Sequence, residues 1–527
     1  MLPPSIAFVP RLPPPPKRQT VATAPPGTLF ASLNEAVSEL PPRPHGGVPR
    51  SGVTTYTPVR RRKATRTYRV LRRVTTMVVV MAIAAGGVFA YQHFKVDPPP
   101  HPGEWDPRLL SLVTFVETER GLNFEHPIFV DFLPEAEYQL ATGPQGPIDD
   151  ETRAAAKYRS DVLDMFGLAS GYDALAGDTT MASSSTLGFY SPSTDRITVR
   201  GTELTAPVRV VVAHELTHAL QAQHFDLRLG GTDDMARRSI AEADAMRVEH
   251  AYLATLTPED QALANAGNSL TPEAAAVLAT VPWPVVELGY APYQLGPAFL
   301  QSIYLREGND GVNALFEDPP TERMLLTPWK GLTHDADAEV VATPPTRALV
   351  DQKSQPLTTI ELLVMLDAWL PWTMARGSLD TLAGAAFTTY RHTKTGPLCM
   401  TAVVQFDGSP QPFADALLWW AGASGSGSVP TITDNQVSFE SCVRGGAAPA
   451  PPVPVISPSQ AVIIENSTVP VGAEVNGVRD VKPFLCTARS LIDNPNIAPL
   501  LVKQDLSAGE LAAVDAARND ALRACAQ

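Results

Sequence analysis

Cysteine is scarce in this 527-residue chain. There are four, none before residue 399 and no two in a C-x-x-C spacing, so a cysteine zinc site is not supported. An overall basic excess is missing too: the net charge is −14, which argues against a nucleic-acid-binding protein. Acids are nearly absent from the first 73 residues, where Glu35 and Glu39 stand against 13 Lys and Arg. That head carries +11 and leaves −25 for the remaining 454 residues, so one chain spans two environments. There is no internal repeat. Apolar content is not lacking: 44% hydrophobic residues exclude disorder over the whole length and supply at least one large core.

The boundary between the two charge regimes falls at Val74. Residues 74–90 read VTTMVVVMAIAAGGVFA, 17 positions without a charge, at the short end of what crosses a bilayer. Eight basic residues crowd positions 60–73, whereas Lys95 is the only basic residue close behind. Cations resist entering hydrocarbon, so this bias keeps the N-terminus in the cytoplasm. Val88-Phe89-Ala90 resembles a signal cleavage site, but a 73-residue leader is far longer than the usual form. The expectation is a single-pass membrane protein. Residues 1–73 form a disordered, Pro-rich cytoplasmic tail, 74–92 the transmembrane helix and 93–104 a linker stiffened by DPPPHP.

All four cysteines fall on the outer side, where an oxidising compartment favours two disulfides. The pairings 399–442 and 486–525 are favoured because GGAAPAPPVPVISP (445–458) separates the two pairs. With 32 Arg to nine Lys and abundant Ala, the composition fits a GC-rich bacterial genome and hence a bacterial cell membrane.

The outer portion reads as α+β. A helix is expected over 105–122, a strand near 127–132, a helix over 149–167 and a polar stretch over 178–187. LGFYSPSTDRITVRG (187–201) reads as a hairpin turning at Ser191–Asp195, with Ile197 and Val199 inward; its DRITVR strand is a candidate edge for holding an extended peptide. Residues 359–443 offer helix, strand and helix with no catalytic set, a structural extension.

The apolar helix over 207–225 contains His214-Glu215-Leu216-Thr217-His218, an H-E-x-x-H pattern. Residues four apart share a helix face, so His214 and His218 can offer imidazole nitrogens to one Zn²⁺, while Glu215 can take a proton from a metal-bound water. A catalytic zinc also needs a third protein ligand. His224 follows His214 by ten residues, but in an unbroken helix it lies about 80° round and about 9 Å beyond His218. Gln221 stands where a glycine would break the helix. Glu242, on a second helix expected over 237–253, is the favoured ligand; Asp244 is then a second carboxylate able to orient a ligand imidazole. Asp244, Glu249 and His250 are the other candidate ligands, and Glu249 shares a helix face with Glu242. For an oxyanion donor, Tyr290, Tyr293, His250 and His334 are available, with Tyr293 preferred.

These residues resemble the zincin metallopeptidases of the gluzincin type, with H-E-x-x-H and a downstream Glu. HELTHALQAQHFDL (214–227) followed by AEADA (241–245) is similar to a group of membrane-anchored actinobacterial proteins, whose usual form is E-G-D-A; Ala243 departs at the glycine. APYQLGPAFLQSIY (291–304) and EDPPTERMLLTP (317–328) resemble the same group, as does the tail from 484 to 527, a Cys-stapled helical pair. The resemblance implies a zincin-like domain over 105–350, the α+β extension over 351–444, a linker over 445–460 and a C-terminal helical segment over 461–527. It implies a zinc peptidase acting on a peptide or protein substrate outside the membrane. The other function class is a non-catalytic envelope scaffold or binding protein on the same fold.

Overall fold

The computed structural model describes residues 100–142, 148–185, 187–225, 234–267, 271–328, 337–444, 448–468, 481–503 and 505–526. The basic tail and the 74–92 segment lie outside the described residues. Among the described residues no helix is long and apolar enough to cross a membrane.

The chain runs through α1 (Leu110–Arg120), β1 (Phe129–Leu133), α2 (Glu135–Thr142), α3 (Asp150–Met165), α4 (Ala174–Ser185), β2 (Gly188–Ser191), β3 (Arg196–Arg200) and α5 (Ala206–His224). A helical run follows: α6 (Asp234–Thr255), α7 (Pro258–Gly267), α8 (Pro272–Leu278), α9 (Trp283–Glu317) and α10 (Glu322–Leu326). Then come β4 (Leu349–Pro356), α11 (Thr359–Asp367), α12 (Trp372–Gly377), β5 (Leu382–Arg391), β6 (Cys399–Phe406), α13 (Gln411–Ser424), β7 (Thr431–Thr433) and β8 (Gln436–Cys442). Helices α14 (Pro458–Thr468), α15 (Lys482–Ile492), α16 (Ala498–Leu501) and α17 (Ala508–Cys525) close the chain.

Two cores organise this α+β arrangement. The smaller is a three-stranded sheet in the order β1-β3-β2, with β1 parallel and β2 antiparallel to β3. The expected alternation holds: Ile197 and Val199 are fully buried, against Val212, Leu216 and Leu220 of α5 and Val116 of α1. The order also corrects one expectation. DRITVR is the middle strand with both sides paired, so it has no edge to give a peptide; the edge strand against α5 is β2. The polar stretch over 178–187 is likewise largely helical. Asp173 caps α4, its Oδ1 accepting from the Leu175 and Ala176 amides at 3.0 and 3.3 Å, so local capping overrides a weak apolar pattern.

The larger core surrounds an antiparallel sheet in the order β4-β5-β6-β8-β7, covered by α9, α11, α13 and α14. Cys399 and Cys442 sit directly opposite on β6 and β8 and form a disulfide. Cys486 and Cys525 form the second, stapling α15 to α17. Both pairings are the expected ones, and they suggest an extracytoplasmic domain. Arg489 of α15 locks the stapled pair to the body, meeting Asp380 at 2.7 and 2.8 Å and Glu465 of α14 at 2.8 Å.

The site depends most on how α6 meets α9. A Cβ at Gly296 would stand 2.0 Å from the Ser239 carbonyl oxygen and 3.0 Å from the Ala243 Cβ, so the two helices touch backbone to backbone. This explains why Ala243 is tolerated: its methyl lies against a glycine on the facing helix. Gly296→Ala gains up to about 1 kcal/mol of helix propensity but overpacks a rigid contact, a cost of about 1–3 kcal/mol. The expected outcome is net destabilisation, with lowered metal uptake because α6 also carries Glu242. Denaturant unfolding and metal analysis of the variant check it; unchanged stability contradicts so tight a contact.

Candidate metal centre

Helix α5 starts at Thr205 with Pro207 in its first turn and ends at Phe225, whose extended backbone (φ −130°, ψ 150°) stops the ladder. From Val210 to Gln221 every residue is buried. Within that stretch the four-residue spacing brings His214 and His218 together, their Nε2 atoms 3.1 Å apart. Helix α6 supplies Glu242, whose Oε2 lies 3.2 Å from His218 Nε2 and 3.4 Å from His214 Nε2. All three residues are at most 6% exposed. Among the described residues they form the one group of three or more His, Cys, Asp or Glu able to hold a metal.

The three separations test the fit. Ligand atoms of a tetrahedral site with bonds of about 2.0–2.1 Å lie about 3.3 Å from one another. Separations of 3.1, 3.2 and 3.4 Å put the atoms on a circle of radius about 1.9 Å, so a point about 2.0 Å from all three exists.

Hydrogen bonds fix which nitrogen of each ring faces that point. Gln221 Nε2 donates to the Ala241 carbonyl (3.1 Å) and to Asp244 Oδ2 (2.9 Å). Both partners only accept, so its Oε1 is the atom facing His218 Nδ1 at 3.0 Å, and Nδ1 carries the proton. Glu249 Oε2 does the same for His214 Nδ1 at 2.9 Å. Both neutral imidazoles therefore turn Nε2 lone pairs toward the Glu242 oxygen, a donor set for a cation. Glu242 is steadied in turn: its Oε1 accepts from the Tyr293 hydroxyl at 2.8 Å.

Without a metal, the same crowding is relieved by protons. Burial pulls the His214 imidazole down, but Glu242 and Glu249 outweigh it and hold its pKa well above the ordinary value. His218 is raised in the same way, chiefly by Glu242 against burial. Burial pushes Glu242 up, yet the two imidazoles pull it well below the carboxylate range.

Glu215 is buried, and its Oε2 accepts from the Tyr190 amide of β2 at 2.8 Å, which fixes its rotamer. Its charge is near enough to raise both imidazoles.

The sequence candidates thus fall into three groups. His214, His218, Glu242 and Glu215 come together. Asp244 lies in the surrounding shell but acts through Gln221 rather than on an imidazole; it also pairs with buried Arg120 (2.7 Å) and with Arg247 (3.2 Å). Tyr293 engages the Glu242 carboxylate. His224 points away, its Nε2 2.7 Å from the Asn123 carbonyl, and Tyr290 is buried beside Met246. His334 lies outside the described residues. Sequence reasoning missed the roles of Gln221 and Glu249. The three-residue spacing from His218 to Gln221, on one helix face, was the signal for the first.

Compared with protein-family models, characterised proteins and solved structures, the chain matches none of them.

Two predictions follow from this geometry. A metal must displace protons from imidazoles of raised pKa, so zinc affinity rises with pH up to those raised values. Competition with a chelator should show binding at least about tenfold weaker at pH 6 than at pH 8; a flat profile contradicts the assigned protonation. Tyr293→Phe removes the partner of Glu242 Oε1 and should weaken zinc by about 10–100-fold. If instead zinc is held normally and only turnover falls, the hydroxyl acts on substrate.

Proposed function

We propose that this chain is a zinc metallopeptidase, anchored by the 74–92 segment with its catalytic portion outside the cytoplasmic membrane. The observation carrying the reading is the convergence of His214 Nε2, His218 Nε2 and Glu242 Oε2 within 3.4 Å of one another, with Glu215 on the same helix. Zinc is the metal favoured by two imidazoles and one carboxylate in a near-tetrahedral set with one position left for water or substrate. When bound, it polarises a carbonyl and acidifies a water.

The remaining work belongs to the chain. Glu215 takes the water's proton and returns it to the leaving amine. Its hydrogen bond from the Tyr190 amide keeps the carboxylate aimed without a rotamer search. Gln221 and Glu249 hold both rings with Nε2 inward, and Tyr293 keeps Glu242 from swinging away. Tyr190's amide leaves the side of β2 opposite β3, and by strand alternation Gly188 turns its backbone groups the same way. That edge supports strand addition as the means of holding an extended peptide. Gly188 lets α5 pack close against that strand: a Cβ there would meet Val211 at 2.7 Å and Glu215 at 3.5 Å.

An extracytoplasmic site agrees with the two disulfides, and the basic flank before Val74 supports an N-terminus inside. The direct test replaces the base alone. Glu215→Gln should retain zinc while losing about 10²–10⁴-fold in cleavage of casein or a peptide library. Equal activity in both proteins would sink the mechanism. Zinc held with no cleavage by either would favour the scaffold reading.

A further inference from the structure

One cation beside the centre takes no part in the roles above. Arg238 lies on α6 one turn before Glu242, with its guanidinium carbon 5.9 Å from the centroid of the Tyr293 ring. Its Nε and Nη2 are buried and make no hydrogen bond. These atoms form the side-on fork of a guanidinium, the pair that grips both oxygens of a carboxylate at once. Among the described residues Arg238 pairs with one acid, Glu242, but Nε is 3.9 Å from its Oε1, beyond hydrogen-bond reach, and that oxygen already accepts from Tyr293. An unmet charged donor in a buried place is costly, so it calls for a partner such as water, an ion or a ligand.

We propose that the Nε/Nη2 fork of Arg238 is a binding site for a carboxylate of the substrate. The proposal rests on the peptidase reading for the word substrate, but the carboxylate site itself does not. Position supports the role. The fork is 3.9 Å from the carboxylate that completes the ligand set, about the span of one extended residue. A carboxylate held there lies within a residue or two of a bond positioned at the centre. The Arg238 side chain keeps 14% of its surface exposed, so it is not sealed into the core. The two donors are already desolvated, which strengthens a bidentate pair. Occupation by a substrate carboxylate also keeps the guanidinium from competing with the metal for Glu242.

The carboxylate can come from a chain terminus or from an acidic side chain, and one set of probes separates them. Dansylated pentapeptides are compared as free acids and C-terminal amides, and the amides are compared with Glu or Gln at each position in turn. Cleavage is measured with the zinc-loaded protein. Affinity is measured separately by fluorescence with zinc-loaded Glu215→Gln, so that binding is read without turnover. The wild type should favour the carboxylate member of one pair by at least about tenfold, and Arg238→Gln should abolish that preference while handling the neutral member normally. Arg238→Lys, a charge without the fork, should recover only part of it. No preference in cleavage or binding overturns the site, and so does an Arg238→Gln loss that is equal for charged and neutral peptides, which would mean that Arg238 only positions Glu242. An Arg238-dependent preference in binding without cleavage of any peptide upholds the site and removes the peptidase reading instead.

Discussion

Two imidazole nitrogens and a carboxylate oxygen, buried and held within 3.4 Å of one another, repel unless positive charge lies among them. Much of the surrounding structure exists to maintain that unfavourable grouping. Gln221 and Glu249 prevent the rings from turning their N–H groups inward. Tyr293 prevents the carboxylate from swinging out. A metal ion held there, or protons in its absence, supplies the charge. Metal binding is in this sense coupled to the stability of the helix pair that carries the ligands.

The fold meets this requirement with backbone contact rather than with bulk. Gly296 lets α9 approach α6 until the Ser239 carbonyl fills the space a methyl would take, and Tyr293 then reaches Glu242. Further along α9, a kink at Gly308 (φ +63°, ψ −151°), a backbone that glycine alone adopts readily, precedes Asn309 and Asn313. Those amides accept from Arg120 at 3.3 and 2.8 Å, and Arg120 pairs with Asp244. A continuous polar chain therefore runs from His218 through Gln221, Asp244 and Arg120 to α9. Its members are buried and polar or charged, so each satisfies the next, and losing one leaves another uncompensated.

The parts of this arrangement carried by local rules were legible in the sequence. The H-E-x-x-H spacing fixes which residues share a face, and the helix expected over 237–253 put Glu242 in reach. The hairpin alternation gave Ile197 and Val199, and the linker between cysteine pairs gave both disulfides. What was not legible depends on contacts between distant elements. In the sequence Gln221 shows only that the helix continues past it, because its partner Asp244 lies 23 positions away on another helix. Glu249 shared a face with Glu242, but only the crossing of α5 and α6 shows that it reaches His214. DRITVR looked like an edge because a hairpin seen alone has two edges; the parallel addition of β1, more than 60 residues earlier, removes one of them.

If His214, His218 and Glu242 bind one zinc ion, the coordination shell of that ion carries their signature. X-ray absorption at the zinc edge of the purified protein should give two imidazole nitrogens and one carboxylate oxygen at about 2.0–2.1 Å, with a further light-atom ligand and no sulfur. His218→Ala should remove one imidazole from that shell. A protein that takes up no zinc, or whose zinc shell is unchanged by His218→Ala, would contradict the account.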